Sequence, residues 1–188
     1  MTTLTATRDL VDELYRVEGK AEIINGEIVY FPMPGGIPTY AAEEIYSSLR
    51  VYAKQVRKGR AFADGNDFLV DLPDRQSFRP DCGYYLGPPA TMKFFNGAPA
   101  FAVEVRSEGD YGPAAEREMA AKRADYFAAG TLVVWDVDLL SEEVVRVFRD
   151  GKSEQPAAVY RRDQTAEAEP AVPGWTMLAN DLFAEPTD

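Results

Sequence analysis

The sequence contains no histidine and a single cysteine, Cys82, among 188 residues. The missing histidine excludes a Ser-His-Asp triad, a Cys-His dyad and a histidine-ligated zinc site. One cysteine excludes an internal disulfide and suits a reducing cytoplasm, which is where we expect the protein to be located. Acid–base or metal chemistry must therefore use Asp, Glu, Lys, Tyr or water, and oxygen ligands favour magnesium, manganese or calcium.

The chain also lacks long apolar runs and an excess of positive charge. Its apolar runs are too short to span a bilayer, and Met1–Arg8 has no basic patch followed by an apolar region, so we expect neither membrane insertion nor secretion. Twenty Lys and Arg against 31 Asp and Glu give a formal charge of −11. This charge argues against sequence-independent binding to nucleic acid. The argument is weaker if the positive charges are clustered on one surface or if bound metal offsets some of the acids.

The length and the 46% hydrophobic content predict one globular domain covering residues 1–188. We expect helices at 8–17 with Thr7 as N-cap, at 38–58, and at 113–129. Ala21–Phe31 predicts a β-hairpin around Asn25-Gly26. Further predicted segments are strands near 68–70, 82–86, 101–106, 131–138, 143–148 and 157–161, a mobile loop at 164–173, and a stretch at 175–183 that packs onto the core.

Two carboxylates interrupt apolar strand patterns. Glu104 lies in the run Phe101–Arg106, where a buried acid must be paired, hydrogen-bonded or bound to a cation. Asp81 has a similar setting, between Pro80 and Cys82. Two acids in neighbouring strands would suit a divalent-metal site. The alternatives are a salt bridge from Glu104 to Arg106 and a turn-capping role for Asp81.

The predicted hairpin carries two further acids. A two-residue turn pairs Ile24 with Glu27 and Glu22 with Val29, which places Glu22 and Glu27 on one face. This face is either part of a site or a solvated surface. Residues alternate between the two faces of a strand, so Ile28 belongs to the opposite side.

Several motifs together resemble one bacterial family. They are the hairpin acids, Arg79-Pro80-Asp81, Val103-Glu104-Val105-Arg106-Ser107, Lys122 followed by Tyr126, and Gly130 before Val134-Trp135-Asp136-Val137-Asp138. In this order they are similar to the Uma-two-like family of "putative restriction endonucleases", a former domain of unknown function within the PD-(D/E)XK nuclease superfamily. The resemblance runs from about Leu14 to Phe183.

The resemblance implies a restriction endonuclease-like α/β fold, with a mixed central sheet flanked by helices and an N-terminal hairpin. It implies an endonuclease in which Asp81, Glu104 and the carbonyl of Val105 hold Mg²⁺ or Mn²⁺, with DNA as the substrate. Lys122 would supply the catalytic lysine. Arg106, in the position where the superfamily motif has lysine, would contact phosphate or pair with nearby acids.

The resemblance also gives the hairpin acids a role, since Glu27 and, with a poorer match, Glu22 would bind metal or position water. Tyr40 stands where family members commonly have a histidine. Lys122 also lies four residues after Glu118, the spacing of a solvated helical ion pair. A non-catalytic binding module and a hydrolase of smaller phosphoesters therefore stay open as functions. By analogy with the superfamily, a homodimer is one arrangement to test.

Overall fold

The computed structural model describes the backbone of residues 2–183 and the side chains of residues 8–183. Its α-helices are α1 (Thr2–Leu14), α2 (Gly36–Val56) and α3 (Pro113–Ala128). The last two confirm the sequence predictions within two residues. The predicted first helix is present, but its bounds were wrong, because α1 begins before Thr7, which therefore cannot be its N-cap, and ends at Leu14. None of the helices in residues 2–183 is both long and apolar enough to cross a membrane.

The strands of the described region are numbered in chain order. They are β1 (Lys20–Ile24), β2 (Glu27–Phe31), β3 (Arg60–Ala63), β4 (Phe68–Leu69), β5 (Ser77–Phe78), β6 (Cys82–Tyr85), β7 (Phe95–Asn96), β8 (Phe101–Val105), β9 (Val133–Val137), β10 (Val145–Phe148), β11 (Ala158–Tyr160), β12 (Thr165–Glu167) and β13 (Thr176–Leu178).

A six-stranded central sheet has the order β11-β10-β9-β8-β6-β3. Strands β8 and β9 are parallel, and the other neighbours are antiparallel. The parallel pair is joined by α3, because two parallel neighbours need a crossover connection. The predicted mixed central sheet flanked by helices is confirmed.

The two long helices pack on opposite faces of this sheet. Phe101 and Val103 of β8 share a core with Ile45 of α2, whereas Ala102 lies in a separate core with Tyr126 of α3. Because side chains alternate along a strand, Glu104 projects to the α3 face together with Ala102. The alternation in β6, where Cys82 packs towards α2, puts the preceding Asp81 on the α3 face as well.

The N-terminal hairpin has the predicted register, with Ile24 opposite Glu27 and Glu22 opposite Val29. Asn25 and Gly26 have φ angles of 52° and 73°, the left-handed pair that a tight two-residue hairpin requires. β1 attaches to the chain leading into β6, because the backbone N–H of Gln76 donates to the Ile23 carbonyl at 2.9 Å. The hairpin is thereby held beside the start of β6.

The C-terminal part differs from its prediction between residues 164 and 173. Instead of a mobile loop, it contains β12, which pairs with β13, and Ala168 and Val172 are fully buried. Short side chains between glutamates gave no apolar pattern that could signal this burial. The following stretch does pack onto the core as predicted. Trp175 lies against Trp135 on the α2 side of the sheet, with ring centroids 5.3 Å apart.

Candidate active site between the hairpin, the central sheet and helix α3

Charged side chains from four parts of the fold meet on the α3 face of the sheet. The hairpin strand β1 supplies two of them, the start of β6 and strand β8 supply one each, and α3 supplies the last. We call this group the acid–lysine cluster. Its members are Lys20, Glu22, Asp81, Glu104 and Lys122.

Asp81 is fixed through both of its carboxylate oxygens. Oδ1 accepts a hydrogen bond from Lys20 Nζ at 2.6 Å, and Oδ2 accepts one from the backbone N–H of Val105 at 2.7 Å. The backbone N–H of Asp81 donates to the Val103 carbonyl at 3.1 Å. The predicted placement of Asp81 beside Glu104, at the meeting of two adjacent strands, is therefore what the structure shows.

Glu104 contacts helix α3 rather than Arg106. Its Oε1 accepts hydrogen bonds from Lys122 Nζ at 2.8 Å and from the hydroxyl of Tyr126 at 2.6 Å. Burial raises the pKa of Glu104, and Lys122 and Lys20 lower it only partly. Tyr126 also stacks on Phe78, with centroids 4.1 Å apart, so one side chain both packs and orients the acid.

Lys122 lies between two acids from different elements. Its Nζ is 2.8 Å from Glu104 and 2.9 Å from Glu22, and none of the ion pairs within residues 8–183 joins it to Glu118. Burial lowers the pKa of Lys122, but the two carboxylates raise it by more, so the ammonium stays charged. The simple helical pair is thus not the geometry found.

The hairpin acids have different environments. Glu22 is 0% exposed and accepts hydrogen bonds from Arg75, Lys122 and the backbone N–H of Arg79. Burial would raise the pKa of Glu22, yet Lys122 and Arg75 lower it below its ordinary value.

Glu27 is exposed beside the hairpin turn, and no ion pair within residues 8–183 includes it. The resemblance favoured Glu27 over Glu22 as a site residue, but the cluster contains Glu22. The reason is distance along the hairpin. Glu22 lies where β1 meets the chain before β6, whereas Glu27 lies at the tip.

Arg106 is part of a separate group of charges on the same face. Its guanidinium donates to both oxygens of Asp136, at 2.8 and 2.7 Å, and to Glu116 of α3. The side chain is only 2% exposed. This arrangement favours the acid-partner alternative, because a guanidinium enclosed in this way has no free surface for a phosphate.

Lys20 was missed in the sequence analysis. Its ammonium binds Asp81 and also faces the charges of Glu104 and Glu22, which outweigh burial and raise its pKa. The signal was available, since residues two apart on a strand share a face, and Glu22 had already been placed on that face.

The donor set suits a divalent cation with few protein ligands. Within the described residues, no three Asp, Glu or Cys side chains are close enough together to hold a metal ion. Mg²⁺, however, is commonly bound through one or two carboxylates and keeps several waters. Asp81 and Glu104 supply two carboxylates. The Val105 carbonyl shares a strand edge with the Val105 N–H, which points at Asp81.

A cleft of about 210 Å³ has Asp81 as one of its walls. It lies between the first turns of α2 and the ends of β3 and β6, and its walls include Thr39, Glu43 and Asp64. Loss of solvent contact, and then the neighbouring Glu44 carboxylate, raise the pKa of the Tyr40 hydroxyl.

Comparison with known proteins agrees with this architecture. A crystal structure of a putative nuclease belonging to DUF820 from Anabaena variabilis superposes with a TM-score of 0.70, at 22% sequence identity, covering 92% of this chain and 96% of that one. At this identity the likeness shows the fold alone. No curated protein matches the chain. A family model described as "Putative restriction endonuclease" matches residues 11–180. The predicted family is confirmed, and the chain belongs to this Uma2 family.

Proposed function

We propose that the protein is a cytoplasmic endonuclease that hydrolyses phosphodiester bonds in DNA with Mg²⁺ or Mn²⁺. One observation carries the proposal, namely that Asp81 and Glu104 meet on adjacent strands with Lys122 bound to Glu104 at 2.8 Å. Membership of a family of "putative restriction endonucleases" supports the nuclease class and suggests the substrate.

The residues suit distinct tasks. Asp81, Glu104 and the carbonyl of Val105 would hold the cation. When bound, such a cation supplies a Lewis acid for phosphate oxygen and a water of lowered pKa. Lys122 stays protonated between its two acids and would offset negative charge on the phosphate rather than act as a base.

The surrounding side chains support this geometry. Glu22, itself held by Arg75, keeps the Lys122 ammonium beside Glu104. Tyr126 donates to Glu104 and fixes the carboxylate orientation. Such supporting contacts matter because a site group that is misplaced by 1 Å loses much of its effect.

The substrate must approach an acidic protein, so contacts with DNA should be few and local. Exposed basic residues at the end of α2, Lys54, Arg57 and Lys58, offer phosphate contacts away from the cluster. Bound cation would reduce the negative potential of the cluster itself. The homodimer stays a prediction.

Cleavage of single- and double-stranded DNA with Mg²⁺ or Mn²⁺ tests the proposal. We expect cleavage by the wild type, none in EDTA, and a loss of at least about 100-fold in Asp81→Ala, in line with removal of a group that stabilises a transition state. Glu118→Ala is the matched control, because Glu118 is an exposed acid on α3 outside the cluster. Equal cleavage by Asp81→Ala and wild type would contradict the assignment.

A non-catalytic binding module is the second candidate. The ion pair between Lys20 and Asp81 favours it, and so does the resemblance, which places Tyr40 where family members commonly have a histidine. This candidate predicts cation-dependent DNA binding with no cleavage under any of the conditions above. Retention of DNA on a filter, measured beside the cleavage assay, distinguishes the two functions.

A further inference from the structure

Lys20 is the member of the acid–lysine cluster that has no task in the proposed function. It begins β1, and its side chain is only 12% exposed. Its Nζ lies 2.6 Å from Asp81 Oδ1, and Glu104 and Glu22 are the other acids whose charge acts on it. Lys122 is the other cation near it, and the two ammonium groups repel.

The hydrogen bonds of Asp81 show which of its two oxygens the Lys20 ammonium binds. Each carboxylate oxygen accepts one hydrogen bond, Oδ2 from the backbone N–H of Val105 and Oδ1 from the flexible Lys20 side chain, so Oδ1 is the oxygen whose partner can move away. A divalent ion shared by Asp81 and Glu104 would bind the oxygen that Lys20 holds. Two cations on one oxygen repel strongly in a partly buried site, so the ammonium and the divalent ion compete for Oδ1.

We propose that Lys20 is the resident cation of the metal-free protein and that a divalent ion displaces its ammonium from Asp81. The inference rests on the proposed metal site. The four-carbon stem of lysine allows such a movement without a change in β1. The Lys20 ammonium thus balances the negative charge of the carboxylates before metal binds. It also lowers the affinity for metal, because it competes for Asp81.

The test is calorimetric titration of Mn²⁺ into wild type, Lys20→Met and Lys20→Arg, with no DNA present. Lys20→Met removes the competitor, so it should bind Mn²⁺ about tenfold more tightly, the effect expected for losing one charge-assisted hydrogen bond. In EDTA the same variant should melt at a lower temperature, because Asp81 has lost its ion-pair partner. Lys20→Arg keeps the charge and can grip the carboxylate with two donors, so it should bind Mn²⁺ more weakly than wild type or equally.

Lys152→Met is the matched control, since Lys152 is an exposed lysine at the turn after β10. If Lys20→Met does not fold, Lys20→Gln replaces it, with the same expected direction. Unchanged or weaker Mn²⁺ binding in the neutral variants would overturn the inference while leaving the proposed nuclease intact.

If neither the wild type nor any variant binds Mn²⁺, both the inference and the metal dependence of the proposed function are overturned. The cleavage assay gives an independent readout. When the cleavage rate is measured over a range of Mn²⁺ concentrations, the concentration that gives half of the maximal rate should be lower for Lys20→Met than for wild type. This holds whatever the maximal rate of the variant. A half-maximal concentration equal to that of wild type would argue against displacement.

Discussion

Lys122 has two roles, because its ammonium is part of the proposed active site and also pairs with Glu104 and Glu22. Lys122→Met should abolish cleavage, because it removes the ammonium beside Glu104. It should also lower the free energy of unfolding by about 3 kcal/mol, since the buried Glu22 and the half-buried Glu104 lose a shared partner. Cleavage assays and urea unfolding followed by circular dichroism measure the two effects.

Arg106→Met is the control for this variant. The residue pairs with Asp136 and Glu116 and not with the cluster, so its loss should reduce stability while leaving Mn²⁺ affinity unchanged. Cleavage by Lys122→Met at the wild-type rate, with activity lost only in a well-folded Arg106→Met, would show that Arg106 supplies the basic group after all.

Glu22 should make the stability of the protein depend on pH. Its pKa is lowered in the folded protein, so its contribution to stability is fully present above its ordinary pKa of about 4.5 and is lost as pH falls through the lowered value. We expect Glu22→Gln to be less stable than wild type by about 3 kcal/mol near pH 7. The difference should shrink below about pH 4.5.

Unfolding in urea at a series of pH values between 3 and 7 gives this difference directly. Glu27→Gln, at the exposed end of the same hairpin face, is the matched control and should change stability little at any pH. A gap between wild type and Glu22→Gln that stays constant with pH would show that Glu22 is not ionised in the native state.

At the scale of elements, the site depends on a close approach of β6 and β8. A Cβ atom at Gly83 would lie 2.1 Å from the Phe101 carbonyl oxygen, so only glycine fits there. Gly83→Ala must push the two strands apart, at a cost of about 2 kcal/mol. Since these strands position Asp81 and Glu104, Mn²⁺ affinity should fall too.

Thermal unfolding and Mn²⁺ titration check this prediction. Gly36→Ala is the control, because a Cβ atom at Gly36, in the first turn of α2, would meet no atom within 4 Å. It should be neutral or slightly stabilising, as alanine is the better helix former. Wild-type metal affinity in Gly83→Ala would show that strand spacing does not set the site.

The sequence was a good guide wherever a local rule applies. The Asn25-Gly26 turn determined the hairpin register, and the alternation in β8 identified Glu104 as an acid facing the protein interior, where it is half-buried. The face that Lys20 shares with Glu22 could be predicted, but the ion pairs of Asp81 and Glu22 could not, because Lys20 and Asp81 are 61 residues apart and Arg75 and Glu22 are 53 apart. Such pairs depend on how the hairpin docks beside β6, which no local pattern encodes.

At the scale of the whole molecule, cation binding should raise the melting temperature. Asp81 and Glu104 repel each other, so an ion bound only by the native state stabilises it. At a concentration 100 times its dissociation constant, the rise should be about 5–10 °C. Differential scanning calorimetry with Mn²⁺ or EDTA measures it.

Asp81→Asn and Glu104→Gln should each remove most of this rise, and Glu118→Gln should retain it. The first two variants remove one carboxylate charge from the proposed cation site, whereas the control removes an exposed charge on α3. Equal responses in all four proteins would place the cation elsewhere on the acidic surface.

Both tryptophans of the chain lie together on the α2 side of the sheet, the side opposite to the acid–lysine cluster. Their indole emission therefore reports the core and not the site. Unfolding should shift the emission to longer wavelength as Trp135 and Trp175 become hydrated, whereas cation binding should leave the spectrum of the native state almost unchanged. The protein thus carries an intrinsic optical signal for folding that is separated by the sheet from the chemistry to be tested.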